Sequence, residues 1–209
     1  MAELKIYRRV IGMIQTNVYF ILNEETKELV IADPADDAYA IEADIDSWGA
    51  KPVAIYLTHG HHDHIGAVNE LKEKYNIPVV AYETEKALLL NTKDNLSAFY
   101  RNGLTVEPDV LVKDGDKIEY AGLECTVIHT PGHTAGSCCF YFPEGKVLIS
   151  GDTLFQYSYG RTDLPTGNFS DLEKSVQRLL NELPGDVTVC PGHMGFTTID
   201  AEKRYNPLA

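Results

Sequence analysis

The stretch Val53-Ala54-Ile55-Tyr56-Leu57-Thr58-His59-Gly60-His61-His62-Asp63-His64-Ile65-Gly66 holds four of the chain's seven histidines within six residues. Its first five residues are apolar, the composition of a buried strand of about 4–8 residues. Gly60 and Gly66 let the backbone turn on either side. In segment 65–75, Ala67, Val68 and Leu71 recur at helical spacing. The histidines therefore stand on a loop between a strand and a helix, where layered α/β proteins concentrate their chemistry. Imidazole is the commonest metal ligand, and Asp63 adds the carboxylate oxygen that borderline cations such as zinc accept. Tag-like histidine tracts lie at termini or in flexible tails. This one is internal and bounded by regular elements.

Three further segments share its pattern of apolar strand, then Gly or Pro, then a ligand-type residue. They are His129-Thr130-Pro131-Gly132-His133, Ser150-Gly151-Asp152 and Cys190-Pro191-Gly192-His193. Each alone reads as a turn; four together at strand ends point to one rim. The candidates are His59, His61, Asp63, His64, His133, Asp152 and His193. Five imidazoles and two carboxylates exceed the roughly four ligands of one zinc. They suit two cations bridged by a carboxylate, about 3.5–4 Å apart. His62 and His129 fall outside the set and read as supporting or packing residues.

Elsewhere, segments 5–11, 17–22 and 29–31 read as strands, and 35–48 as a helix ended by Gly49. A short strand at 79–81 precedes a helix and loop over 83–103. Strands follow at 109–112, 117–120, 124–129, 137–142 and 146–150. A helix over 169–183, starting near Ser170 or Asp171, leads to a strand at 186–189 and a helix at 199–205. This order fits an α+β architecture of two face-to-face sheets covered by helices better than a doubly wound sheet. No Gly-rich nucleotide fingerprint is present. With no linker visible, residues 1–209 are expected to form a single domain.

A hydrophobic content of 44% with 23% charged residues suits a soluble globular chain. No run approaches the roughly 18 apolar residues of a membrane span. The N-terminus lacks the apolar core of a secretory signal, so a cytoplasmic location without membrane association is expected. Cys125, Cys138, Cys139 and Cys190 lack C-x-x-C spacing and read as core residues, with Cys138 and Cys139 on opposite strand faces. A net charge of −13 argues against a nucleic-acid partner.

These motifs resemble the metallo-β-lactamase superfamily, and within it compact glyoxalase II-like (hydroxyacylglutathione hydrolase-like) members. The resemblance runs through T-H-G-H-H-D-H-I-G, H-T-P-G-H-T-A-G-S, G-D-T-L-F, Gly160-Arg161-Thr162-Asp163 and Pro191-Gly192-His193, covering nearly the whole chain. It implies a four-layer αββα sandwich. It assigns His59, His61 and His133 to one divalent metal and Asp63, His64 and His193 to a second, with Asp152 bridging. The metals would be zinc, with iron or manganese as alternatives. Asp63 and Asp152 would be the catalytic carboxylates, and a metal-bridging hydroxide would attack a thioester such as S-lactoylglutathione. The implied partner is therefore a small-molecule thioester. Larger glyoxalase II enzymes carry a C-terminal helical extension toward glutathione; this sequence stops soon after His193, which leaves the thiol carrier open.

Tyr157, Tyr159, Arg161 and Phe196 are candidates to line the substrate mouth, with core packing, or an Arg161–Asp163 ion pair, as the alternative. Rival readings are a mononuclear-iron persulfide dioxygenase, a hydrolase of another ester or phosphodiester, a β-lactamase and a catalytically silent homologue. The full seven-ligand set favours the dinuclear hydrolase.

Overall fold

Apolar residues alternate along β2 (Thr16–Asn23) so that Val18, Phe20 and Leu22 join one hydrophobic cluster while Tyr19 and Ile21 join another. A strand buried on both faces needs a layer on each side. The computed structural model, which describes residues 3–209, shows those layers. β1 (Leu4–Ile11), β2, β3 (Glu28–Ala32), β4 (Lys51–Leu57), β5 (Val79–Tyr82) and β6 (Val110–Val112) form a first sheet in chain order. Its first three strands pair antiparallel and the rest parallel. The second sheet has the order β14 (Thr197–Thr198), β13 (Thr188–Pro191), β10 (Val147–Gly151), β9 (Cys138–Phe142), β8 (Leu123–His129) and β7 (Lys117–Tyr120). Only β10 and β13 run parallel there, and β11 (Leu154–Phe155) with β12 (Ser158–Tyr159) forms a separate antiparallel pair.

Between the sheets, Tyr19, Ile21, Tyr56 and Val80 meet Val127, Phe140, Ile149 and Cys190. On the outer face of the first sheet lie α1 (Ala38–Trp48) and α3 (Val68–Tyr75), burying Ile41, Ile45, Val68 and Leu71. On the second lie α6 (Phe169–Glu182) and α7 (Ile199–Tyr205), burying Leu172, Val176, Leu179 and Ile199. Each such side chain contributes about 1.5–3 kcal/mol by leaving water. The expected αββα sandwich of two mixed sheets is present. Cys138 and Cys139 do face opposite ways, one between the sheets and one toward α6, and all four cysteines are buried and free. Among the described residues no helix is long and apolar enough to cross a membrane.

Four departures from the expected elements have identifiable causes. The helix read over 65–75 is broken into α2 (His62–Ile65) and α3, because the Gly66 and Ala67 amides donate to Ala35 and Pro34 carbonyls instead of their own helix. A side chain at Gly66 would put Cβ 2.1 Å from the Ala35 oxygen. α1 begins at Ala38, three residues late, where the Asp37 carboxylate caps the Ala40 amide. Asn168, rather than Ser170 or Asp171, caps α6. Segment 83–103 contains a 3-10 turn (Glu83–Glu85), α4 (Lys86–Leu89) and α5 (Ser97–Tyr100), tied by buried Asn95 to the Leu89 and Leu104 carbonyls.

Candidate metal centre

The candidate ligands arrive on loops that leave the C-terminal ends of β4, β8, β10 and β13. Main-chain bonds hold these ends together: the Cys138 amide donates to Thr58 across the two sheets, and the Gly192 amide to Gly151 within the second sheet. Gly192 is required by proximity, since a Cβ there would lie 2.2 Å from Asp152 Oδ1.

Ligand atoms of His59, His61 and His133 lie within 4.8 Å of one another, as do those of Asp63, His64 and His193. Asp152 stands between the two groups. Its Oδ1 is 3.4 Å from His64 Nε2, and its Oδ2 is 3.5 Å from both His133 Nε2 and His193 Nε2. Asp63 Oδ2 is 3.4 Å from His193 Nε2 and 3.6 Å from His64 Nε2. All seven residues meet.

Hydrogen bonds fix which nitrogen His59, His64 and His133 present. His133 Nδ1–H donates to the Arg161 carbonyl at 2.7 Å. His64 Nδ1–H donates to Asp33 Oδ2 at 3.0 Å. Thr58 Oγ1–H donates to Asp33, so Oγ1 accepts from His59 Nδ1–H at 3.1 Å. Each arrangement turns an Nε2 lone pair inward, the usual way an outer partner orients a metal-binding imidazole. His61 offers Nδ1, 2.9 Å from His133 Nε2. His59 Nε2, His64 Nε2 and Asp152 Oδ1 are buried without a hydrogen-bond partner. Buried polar atoms left so are costly, and the convergence of these three on one space fits divalent cations.

Burial drives His59 well below the usual imidazole range, and His61 down to about 3 with His133 adding to the effect. Burial opposes charge on His64 too, yet Asp152 and Asp63 overcome it and raise His64 well above the usual value. The same carboxylates outweigh burial at His193 and hold it at about 9. Conversely, Asp152 and Asp63 stay well below the carboxylate range despite burial, because His64 and His193 face them.

A proton on His64 or His193 occupies the nitrogen a cation needs. For the metal-free protein, folded values above the unfolded ~6.5 give stability that is present below that pH and lost as pH rises through about 9 at His193. Loading near pH 7 should therefore expel about two protons per chain, so binding tightens as pH rises and fails in acid. Calorimetric titration in buffers of different ionisation enthalpy measures this release. Heat that does not vary with buffer would contradict it.

Two supporting residues carry no motif. Asp33, at the end of β3, is 2% exposed and accepts from the Thr58 amide at 2.8 Å, Thr58 Oγ1 and His64. Asp33 also lies near His59 and His64 in a third possible ligand group. Its oxygens are already occupied by those three donors, which makes it an orienting residue. Buried Glu85 accepts from the Gly60 amide and Thr134 Oγ1, joining the loops that bear His59, His61 and His133. Burial pushes its carboxyl up to about 7. In the sequence both are ordinary acidic residues beside a Pro or in a helical-looking run.

A cavity of about 670 Å³ opens onto the centre. Tyr159 and Arg161 line it; Tyr157 and Phe196 do not. The φ of 57° at Tyr157 directs its ring onto Tyr205, and Phe196 lies under the Arg8 guanidinium. Arg161 forms a two-pronged ion pair with Asp163. Unforeseen walls come from Ile14, Leu96, Tyr100, Leu164 and Met194. His62 stacks on Tyr100 at 4.6 Å, and His129 on Tyr82 at 4.1 Å. His62→Phe, which keeps the stack, is expected to retain bound metal and hydrolysis within about threefold. His61→Ala should lose at least about 100-fold. Equal losses in rate and metal content would show the ligands to be misassigned.

The model of the metallo-beta-lactamase superfamily matches residues 11–193. The chain belongs to this superfamily, and family and site together support a metal-dependent hydrolase. It is 36% identical to a probable metallo-hydrolase, YqgX, of Bacillus subtilis, covering 96% of this chain and 95% of that protein. It is 33% identical to the hydroxyacylglutathione hydrolase GloC of Haemophilus influenzae, covering 93% and 92%. The crystal structure of BLEG-1 B3 metallo-beta-lactamase superposes with a TM-score of 0.91 at 37% identity, covering 97% and 98%. TTHA1623 in a di-iron-bound form gives 0.84 at 35%, covering 97% and 100%.

Proposed function

We propose that this protein is a dinuclear hydrolase of thioesters, with S-lactoylglutathione as the reference substrate. His59, His61 and His133 hold one divalent cation; Asp63, His64 and His193 hold the other; Asp152 serves both. Zinc is the first choice of metal, and the di-iron form of a relative keeps iron in view. When bound, the cations supply Lewis acidity and make water a stronger acid. The observation that carries this reading is the set of inward Nε2 lone pairs around Asp152, each fixed by an outer hydrogen bond.

The protein's own part is orientation and charge. Asp63, held by Thr16 Oγ1 at 3.2 Å, and Asp152 remain ionised and accept the hydrogen bonds of the attacking water. Tyr159 and the apolar walls exclude bulk water from the substrate. Water adds to the carbonyl as it gives one proton to solvent, the C–S bond breaks, and carboxylic acid and thiolate leave. A thiol pKa near 8.5 lets the thiolate depart without a protein acid. An amine leaving group requires protonation, which places β-lactam opening second despite the BLEG-1 likeness. Side-by-side rates on S-lactoylglutathione and nitrocefin test the ranking: faster thioester turnover is expected, and nitrocefin turnover without thioester turnover would reverse it.

A further inference from the structure

We propose that the cavity prefers thioesters of an uncharged thiol, and that Asp163 sets this preference by holding Arg161. The proposal rests on the thioesterase reading. A second chamber of about 310 Å³ adjoins the larger one, and both are walled by Ile14, His62, Asp63 and Tyr100. Two chambers meeting at Asp63 suit a substrate with two arms, an acyl group and its carrier. Most of the wall surface is apolar, with Leu96, Phe155 and Met194 in one chamber and Ile11 and Met13 in the other.

Charge decides the carrier. Among the described residues no lysine lines either chamber, and the guanidinium groups there are Arg161 and Arg101. Arg161 Nε and Nη2 donate to the two Asp163 oxygens, both at 2.7 Å. Arg101 is engaged by both Asp36 oxygens and the Ala35 carbonyl. The Arg161–Asp163 pair is exposed, at 62% and 67%, so a ligand carboxylate can displace Asp163. That exchange trades one ion pair for an equal one and yields no net attraction. A carrier bearing free carboxylates, as glutathione does, therefore loses hydration with no net gain in ion pairing. An uncharged carrier loses less and gains contact with the apolar walls.

The test compares kcat/KM of the metal-loaded protein for S-lactoylglutathione and S-lactoyl-N-acetylcysteamine, which share an acyl group, in the native chain and in Asp163→Asn. Calorimetry with the thioethers S-hexylglutathione and S-hexyl-N-acetylcysteamine on metal-free protein adds a readout free of catalysis. The neutral ester is expected to lead by about tenfold or more, with the thioethers in the same order. Asp163→Asn leaves intact the Arg161 carbonyl that holds His133. It should raise the glutathione ester about two- to fivefold and leave the neutral one unchanged. Equal or better use of the glutathione ester, or a variant that shifts both esters alike, overturns the proposal. If neither ester is cleaved the thioesterase reading fails, and the thioether order still judges the carrier preference by itself.

Discussion

Asp152→Ala is expected to reduce thioester hydrolysis by at least about 10³-fold and bound metal from two ions per chain to one or none. Among the described residues, Asp152 is the one side chain whose two oxygens approach members of both ligand groups, His133 on one side and His64 and His193 on the other. Its Oδ1 is buried and unpartnered within the protein. In the proposed centre alanine would remove the shared ligand and also the negative charge that offsets two cations in a low-dielectric site. Asp63 does not substitute, because of the candidate ligands it approaches His64 and His193 and not the first group. Elemental analysis and initial rates on the purified variant provide the measurement. Native turnover with two metals retained would contradict the role given to Asp152.

The second large effect is expected at a residue that touches neither substrate nor metal. Asp33→Ala strips the acceptor from the Thr58 amide, Thr58 Oγ1 and His64 Nδ1 at once. Breaking such a buried charged network costs about 3–5 kcal/mol, a large part of the 5–15 kcal/mol typical of a domain. For a chain of 209 residues that lowers Tm by on the order of 10 °C. It also frees the His64 ring and, through Thr58, the His59 ring, so metal affinity should fall about 10–100-fold. Asp33→Asn keeps one acceptor oxygen but turns an N–H toward these donors, and should fall between native and alanine. Thermal unfolding of the metal-free proteins and metal titration separate the two effects. Affinity within twofold of native in Asp33→Ala would remove Asp33 from the ligand-orienting role.

Much of this architecture could be read before folding was considered. Strands announce themselves where both faces are buried, as in β2 and β4, because such segments are continuous apolar runs. The convergence of the ligand-type residues was legible for a different reason: histidine is sparse elsewhere in the chain, and His61, His133, Asp152 and His193 each follow a strand end through Gly. Elements that depend on a distant partner were not legible. The break at Gly66 exists because the Ala35 carbonyl captures its amide. Asp33 and Glu85 gain their roles from donors 25 residues or more away in sequence. The cavity walls come from Ile14, Leu96 and Tyr100, on loop or short helical segments with no sustained hydrophobic period. Tyr157 and Phe196 looked equivalent to Tyr159 in sequence, and only the backbone turn at Tyr157 and the Arg8 contact at Phe196 separate them.

The pairing of cations is the claim most open to direct measurement. Protein purified with metal, then freed of loosely bound ions, should contain two equivalents per chain by elemental analysis. Stepwise removal with a chelator should abolish hydrolysis, and re-addition should restore it. A stoichiometry of one with full activity, or activity that survives complete removal, would contradict the dinuclear centre.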